Sequence, residues 1–433
     1  MLGDALDGAV FPGAVAAFEN DEDFLAAGND VALQFYQLDL QPQQRGIVIF
    51  ARGIVHPRSI RPRRPTGKPA ELPAQAISLK NRPNQLNPAK ASLGRSGVLT
   101  HTHWHSSLTW IDQPDADIDA FVKNSKKKYR FDLRQKLHEW RKTGIVVFEN
   151  AVNPRLLAQF QADLDHLRAH NTAYDLTVGI GEVTRPIATF TTAELDSDRI
   201  RFTQAHTISH AARRLSLTRE VAEFLDAVFA SPPCVEQSLT FYKGSQQPIH
   251  IDYAFVRAHT KLAHLAASWI PLEDVHPDSG PLAYYPGSHM TDISGFFDWG
   301  GGSITQEPDS ERDAMQFAKF LNDKMQEAGI EPVTYLPKKG DVLLWHGGLA
   351  HGGTPINNPG LTRKSYVTHY TSLEAYRPDH MKPDALTTGA YFSEHGGYAF
   401  DYPWLTHPAK LPSWPTSPEP AGKRRWPWRR VRF

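Results

Sequence analysis

From about residue 234 the apolar positions fall into short β-prone runs cut by Gly and Pro. The pattern predicts strands at Ser238–Lys243, Pro248–Val256, His264–Leu272, Pro281–Tyr285, Asp341–Trp345 and Ser365–Thr371. Several short strands at this spacing predict a double-sheet β-sandwich or barrel. A helical period precedes them. Residues 130–142 space their apolar positions as a helix does, and GIVVF at 144–148 is a short β run. Asn153 followed by Pro154 reads as an N-cap and a first helical position. Leu156, Phe160, Leu164 and Leu167 then mark the apolar face of a helix reaching about His170. A further helix is predicted from Ser310, its cap, to Ala328, with Gly329 as the stop. Near the N-terminus, Val31–Asp39 and Gly46–Val55 can pair as a hairpin. The fold class expected is mainly β with flanking helices.

Composition narrows the chemistry. Acidic and basic residues balance at 47 each, so no global field draws the chain to nucleic acid or membrane. The lone cysteine, Cys234, excludes an internal disulfide and any Cys-based zinc or iron–sulfur site, and no neighbour marks it as a nucleophile. A metal must therefore be held by His, Asp or Glu. No signal-peptide pattern opens the chain, and no apolar run nears the about 18 residues of a membrane span. A cytoplasmic monomer or homodimer is expected.

Two composition shifts divide the chain. Residues 1–125 are expected to form an N-terminal extension. Within it, 56–95 is Pro-rich and basic, with Glu71 the single acid, and reads as a solvated connector or an anion-binding arm. Residues 126–410 form the main domain, and 411–433 a basic aromatic tail, frayed or docked.

The central motif is QQPIHIDYAF. In a strand, positions i and i+2 share a face, so His250 and Asp252 would aim an imidazole and a carboxylate at one point. GDVLLWHGGLAHGG supplies a second histidine, His346 or His351. Two histidines and one carboxylate leave three open positions on octahedral Fe(II), which suit a bidentate co-substrate plus dioxygen. Downstream, Arg363 and Ser365 share a face at the start of a predicted strand and can bind a carboxylate by charge-assisted bonds. His101, His103 and His105 would share a strand face; they could bind a metal, but a solvated strand or an active-site lid is the favoured reading. His259, His264 and His369 are read as hydrogen-bonded structural histidines.

On these motifs the chain resembles the phytanoyl-CoA dioxygenase family of Fe(II)/2-oxoglutarate oxygenases, over about residues 128–375. GIVVFENAVNPRLLAQFQADLD looks like the family's opening strand and helix. SWIPLEDVHPDSGPLAYYPGSH and GDVLLWHGGLAHGGTPINNPGLTRKS look like its later segments. The resemblance implies a double-stranded β-helix (jelly-roll) core and iron ligation by His250, Asp252 and His351, with His346 behind them. It also implies Arg363, assisted by Ser365, on the far carboxylate of 2-oxoglutarate, and Trp269 lining that pocket. Tyr242, alternating with Thr240, is placed either to reach the co-substrate or to pack in the core, and is counted with the co-substrate site. The implied reaction consumes 2-oxoglutarate and O2, releases succinate and CO2, and hydroxylates or otherwise oxidises a small molecule. Related halogenases replace the acid of the motif with a small residue, so Asp252 points to oxygen transfer.

The chain departs from the family pattern twice. The gap between Asp252 and His351 is long, and the excess, about 291–332, is expected to cover or shape the substrate site. Residues 1–125 have no counterpart, and their basic segment points to an anionic substrate. Two other readings fit the triad alone: a cupin-like metal enzyme that does not use 2-oxoglutarate, and a non-catalytic binding protein on the same fold.

Overall fold

The structure, a computed structural model, describes residues 107–416 except 181–182, 198, 257, 262, 291–313 and 406–407. The hairpin at 31–55, the basic segment 56–95, the histidines of 101–105, Ser310 and the motif KRRWPWRRVRF lie outside the described residues.

Thirteen strands are present among the described residues. They are β1 Ile145–Phe148, β2 Thr177–Ile180, β3 Val183–Pro186, β4 Ile200–Thr203, β5 Pro233–Phe241, β6 Leu265–Pro271, β7 Leu282–Tyr284, β8 Val333–Tyr335, β9 Val342–His346, β10 His351–Gly353, β11 Ser365–Ser372, β12 Tyr391–Glu394 and β13 Gly397–Phe400. A large sheet runs β1-β9-β6-β11-β5-β4-β2-β3, with β13 added beside β5 and β12 beside β13. A small sheet runs β10-β7-β8. The helices used below are α1 Ile118–Asn124, α2 Leu133–Thr143, α3 Pro154–Ala169, α4 His210–Ser216, α5 Arg219–Phe229 and α6 Ala314–Ala328.

Strand periodicity explains the layering. On β6, β9 and β11 the even positions Ala266, Ile270, Leu344, Tyr366 and Tyr370 join the core under the helices. The odd positions Trp269, Leu343, Trp345 and Val367 meet Leu282 of the small sheet. Both faces of β6, β9 and β11 are thus buried, and the chain is a double-stranded β-helix with helices on its outer face. On β5 a bulge between the partners of His369 and Tyr370 leaves Glu236 unpaired. It switches faces: Val235 belongs to the helix-side core, whereas Leu239 and Phe241 face the small sheet.

Local signals set the helices. The Asn153 side chain caps α3 by accepting from the Arg155 N–H at 2.9 Å, with Pro154 first in the helix. Gly144 ends α2 in the left-handed region at φ 77° and lets the chain turn into β1. Helix α6 stops before Gly329 at φ 63°, and its Phe317, Leu321 and Met325 pack on Ile249, Ile251 and Tyr253. Phe255 and Val256 share that cluster.

Three expectations change. The run 248–256 is not a strand: His250 makes one isolated bridge, with His351, and Asp252–Ala254 is a 3-10 turn. The main body begins before residue 125, because Ile111 and Ile118 bury in its core. Strand β5 starts at Pro233, five residues earlier than the pattern indicated. Of the expected tail, Leu411 and Ser413 are docked, bonding to Ile208 and Asp163.

Candidate functional site

The site lies between the two sheets. The His250 N–H donates to the His351 carbonyl at 2.9 Å and the return bond is 3.0 Å, so the two residues stand side by side. Ile251 stays extended at φ −120°, ψ 146°, which turns Asp252 to the same side as His250. The ligand atoms of His250, Asp252 and His351 all lie within 4.8 Å of one another, and all three residues are buried.

Each group is oriented from behind. His250 Nδ1 donates to the Pro248 carbonyl at 2.8 Å and His351 Nδ1 to the Leu349 carbonyl at 2.9 Å. A carbonyl only accepts, so Nδ1 carries a proton in both rings and Nε2 is the nitrogen left to face a metal. The Trp345 indole N–H donates to Asp252 Oδ2 at 2.6 Å, leaving Oδ1 to face His351 Nε2 at 3.5 Å. Burial, with His351 close by, lowers the His250 pKa to about 3 and keeps the ring neutral. Burial pushes the Asp252 carboxyl up, but the His351 and His369 imidazoles outweigh it and hold the group well below the usual carboxylate range. A neutral His250 ring and an ionised Asp252 carboxylate are donor forms that a divalent cation requires.

A cleft of about 720 Å³, counting its open mouth, adjoins the triad. Trp269 and Arg363 line it, and the guanidinium carbon lies 5.4 Å from the Trp269 ring centroid. Arg363 Nη1 donates to the Gly280 carbonyl at 3.0 Å, while Nε is buried with no partner. Burial lowers its pKa to about 10, so it stays charged at neutral pH. Ser365, two positions on, is fully buried with an unpartnered hydroxyl. A buried fork-shaped cation and a hydroxyl, both short of partners, fit one end of a dicarboxylate.

Other expectations resolve differently. Tyr242 is a correction: it packs on the helix side of the sheet, with the Arg168 guanidinium 4.3 Å from its ring, because the cleft takes Gln237, Leu239 and Phe241 of β5 instead. His346 is buried away from the triad, its Nε2 3.3 Å from Asp112 Oδ2. His369, read from sequence as structural, lines the cleft with Nε2 3.5 Å from Asp252 Oδ1. Its position four residues after Ser365, on the same strand face, was the available signal. Trp345 was also missed as a partner of Asp252. His264 is structural, its Nδ1 2.7 Å from Ser372 Oγ. Cys234 is buried, which pushes its thiol well above the usual range.

Two histidines and one carboxylate beside a cleft are the donor set of the non-haem iron oxygenases, an oxidoreductase class. Residues 140–365 match the family model for phytanoyl-CoA dioxygenase (PhyH), and the chain belongs to that family. Among solved structures it is similar to apo EctD from S. alaskensis, at 21% identity over 59% of this chain and 85% of that one, with a TM-score of 0.42. It is also similar to SnoN, an alpha ketoglutarate dependent epimerase from nogalamycin biosynthesis, at 18% identity over 62% and 98%, TM-score 0.39. The carbocyclase SnoK of the same biosynthesis gives 17% over 64% and 94%, TM-score 0.38. No curated protein matches the chain. Among the described residues, no helix is long and apolar enough to cross a membrane.

Proposed function

We propose that this protein is an Fe(II)- and 2-oxoglutarate-dependent dioxygenase that hydroxylates, or otherwise oxidises, a small molecule. The observation that carries the reading is Arg363: a buried guanidinium with an unpartnered Nε, in the same cleft as a two-His, one-carboxylate cluster. A buried cation with no carboxylate partner costs several kcal/mol, about the amount a bound anion would offset.

His250 Nε2, Asp252 Oδ1 and His351 Nε2 would hold the iron. Arg363 and Ser365 would take the far carboxylate of 2-oxoglutarate, with Trp269 under the chain between its ends. Bound iron supplies the oxidising chemistry: 2-oxoglutarate, O2 and substrate become succinate, CO2 and the oxidised product. The protein's own part is positional. Trp345 keeps Asp252 from rotating, the backbone carbonyls of Pro248 and Leu349 fix the two imidazoles, and Phe241, Phe255, Val256 and Leu282 make the cleft wall apolar. Helix α6 shares a core with two of those wall residues, which supports the expected role of the long insertion in shaping the substrate side.

Gln237, Ser245 and Gln247 give the cleft polar points, so the substrate class favoured is a small molecule with an apolar body and hydrogen-bonding groups. Among the described cleft residues Arg363 is the one Lys or Arg, and the reading assigns it to the co-substrate. The expectation of an anionic substrate came from the basic segment 56–95, which lies outside the described residues.

The test is anaerobic titration of the Fe(II)-loaded protein with 2-oxoglutarate, followed by a metabolite screen for succinate release. Micromolar 2-oxoglutarate binding and substrate-stimulated succinate are expected. Substrate oxidation without 2-oxoglutarate would instead establish a cupin-like enzyme, and failure to bind Fe(II) a non-catalytic protein.

A further inference from the structure

Behind the triad lies a buried polar chain that the proposed chemistry does not use. It starts at the 3-10 turn Trp110–Asp112, outside the residues matched by the family model. Asp112 Oδ2 accepts from the Thr109 hydroxyl at 2.5 Å and lies 3.3 Å from His346 Nε2. The other ring nitrogen, His346 Nδ1, accepts the Gly348 N–H at 2.9 Å. An acceptor at Nδ1 requires the proton on Nε2, where Asp112 receives it. All of these groups are buried.

The turn closed by His346 carries two ligands. Leu349 N donates to the His346 carbonyl at 2.8 Å, completing the turn. The Gly347 carbonyl accepts from Asp252 N at 3.0 Å, and the Leu349 carbonyl accepts from His351 Nδ1 at 2.9 Å. Gly347 cannot be replaced to compensate, since a Cβ there would sit 2.9 Å from Leu265. The alignment of Asp252 and His351 thus depends on a turn whose shape depends on the tautomer and tilt of one imidazole.

We infer that Asp112 is a positioning residue for the metal centre: through His346 it sets the Gly347–Leu349 carbonyls that aim Asp252 and His351. The inference rests on the metal reading above. The segment at 107–112 therefore completes the centre from outside the family-matched region.

The test uses cobalt(II), whose visible bands report donor geometry, and Fe(II) under anaerobic conditions, in the full chain. Asp112→Ala and His346→Leu should each weaken metal binding roughly 10–100-fold, with altered cobalt bands. The double variant should be no weaker than the worse single one, because both act through one path. Asp112→Asn keeps an acceptor for His346 Nε2 and should restore most of the affinity, and it decides the matter if the alanine variant fails to fold. Trp110→Phe, which loses the indole bond to the Ala227 carbonyl at 2.8 Å, is the control: its melting temperature should fall without a change in metal affinity. Asp112 variants that melt lower yet bind cobalt within twofold of wild type, or effects that add in the double variant, overturn the inference. A wild-type chain that binds neither metal overturns the metal reading and the inference with it.

Discussion

Replacing Arg363 by methionine separates a ligand anchor from a structural arginine, because the first role predicts little change in the ligand-free protein and the second a large loss of stability. In the structure the guanidinium makes one hydrogen bond, from Nη1 to the Gly280 carbonyl at 3.0 Å, and lies over Trp269. Methionine removes a buried cation that has no carboxylate partner among the described residues, and so removes a desolvation cost of several kcal/mol. It also leaves the Gly280 carbonyl unpaired, at about 1–3 kcal/mol, and loses a cation–π contact worth about 0.5–2 kcal/mol. These terms oppose one another, so ligand-free stability should change by no more than about 2 kcal/mol. The ligand sees no such cancellation. Two charge-assisted bonds to a carboxylate are worth about 3–6 kcal/mol together, so 2-oxoglutarate affinity should fall roughly 10²–10⁴-fold. Arg363→Lys keeps the charge but not the fork and should recover only part of this. The assay is calorimetric titration of 2-oxoglutarate into the anaerobic Fe(II)-loaded protein, beside ligand-free thermal unfolding. A methionine variant that binds 2-oxoglutarate within threefold of wild type, or one that unfolds without ligand, refutes the argument.

Asp252→Ala should abolish substrate-coupled succinate release, and unchanged turnover would sink the ligand assignment. Trp345→Phe keeps the ring but leaves Asp252 Oδ2 without its donor, and should weaken iron binding roughly 10–100-fold, read by metal titration. Gly280→Ala adds a Cβ 2.7 Å from Ile356 at φ +74°, so it should shift the carbonyl under Arg363 and raise the dissociation constant for 2-oxoglutarate while iron affinity holds. His206, remote from the triad, has its pKa lowered to about 3, chiefly by burial, against about 6.5 unfolded. The unfolded chain then binds the extra proton between those values, so this contribution is whole above about pH 6.5 and declines as pH falls towards 3. It should cost roughly 2–3 kcal/mol at pH 4.5, and a melting temperature that is flat from pH 7 to 4.5 would count against it.

What the sequence disclosed was mostly local. The Asn153-Pro154 cap, the Gly329 stop and the runs at 265–271 and 365–372 carry their own signals and form as expected. The metal motif was legible as a residue set but not as a strand. Its backbone bonds go to His351 and Gly347, not to a continuous ladder, and its alternating apolar residues exist to meet helix α6. Tyr242 and His369 were misplaced for one reason. Strand β11 is buried on both faces, and β5 is buried on its helix side and half-buried toward the cleft, so the alternation of side chains fixes which residues share a face but not which face meets the cleft. The bulge at Glu236 compounds this by reversing β5 midway. Asp112 could not be read at all, since its partner is 234 positions away and nothing local marks the pair.

The single bridge between His250 and His351 joins points about one hundred residues apart in the chain, with two backbone bonds. Such a long loop is costly to close before the rest of the fold is in place, and two bonds return little of that cost. A metal held by residues on both sides of the bridge would act as a reversible staple across the loop, as a disulfide does in chains that have cysteines to spare. Metal supply would then govern how long the enzyme survives proteolysis as well as how fast it works.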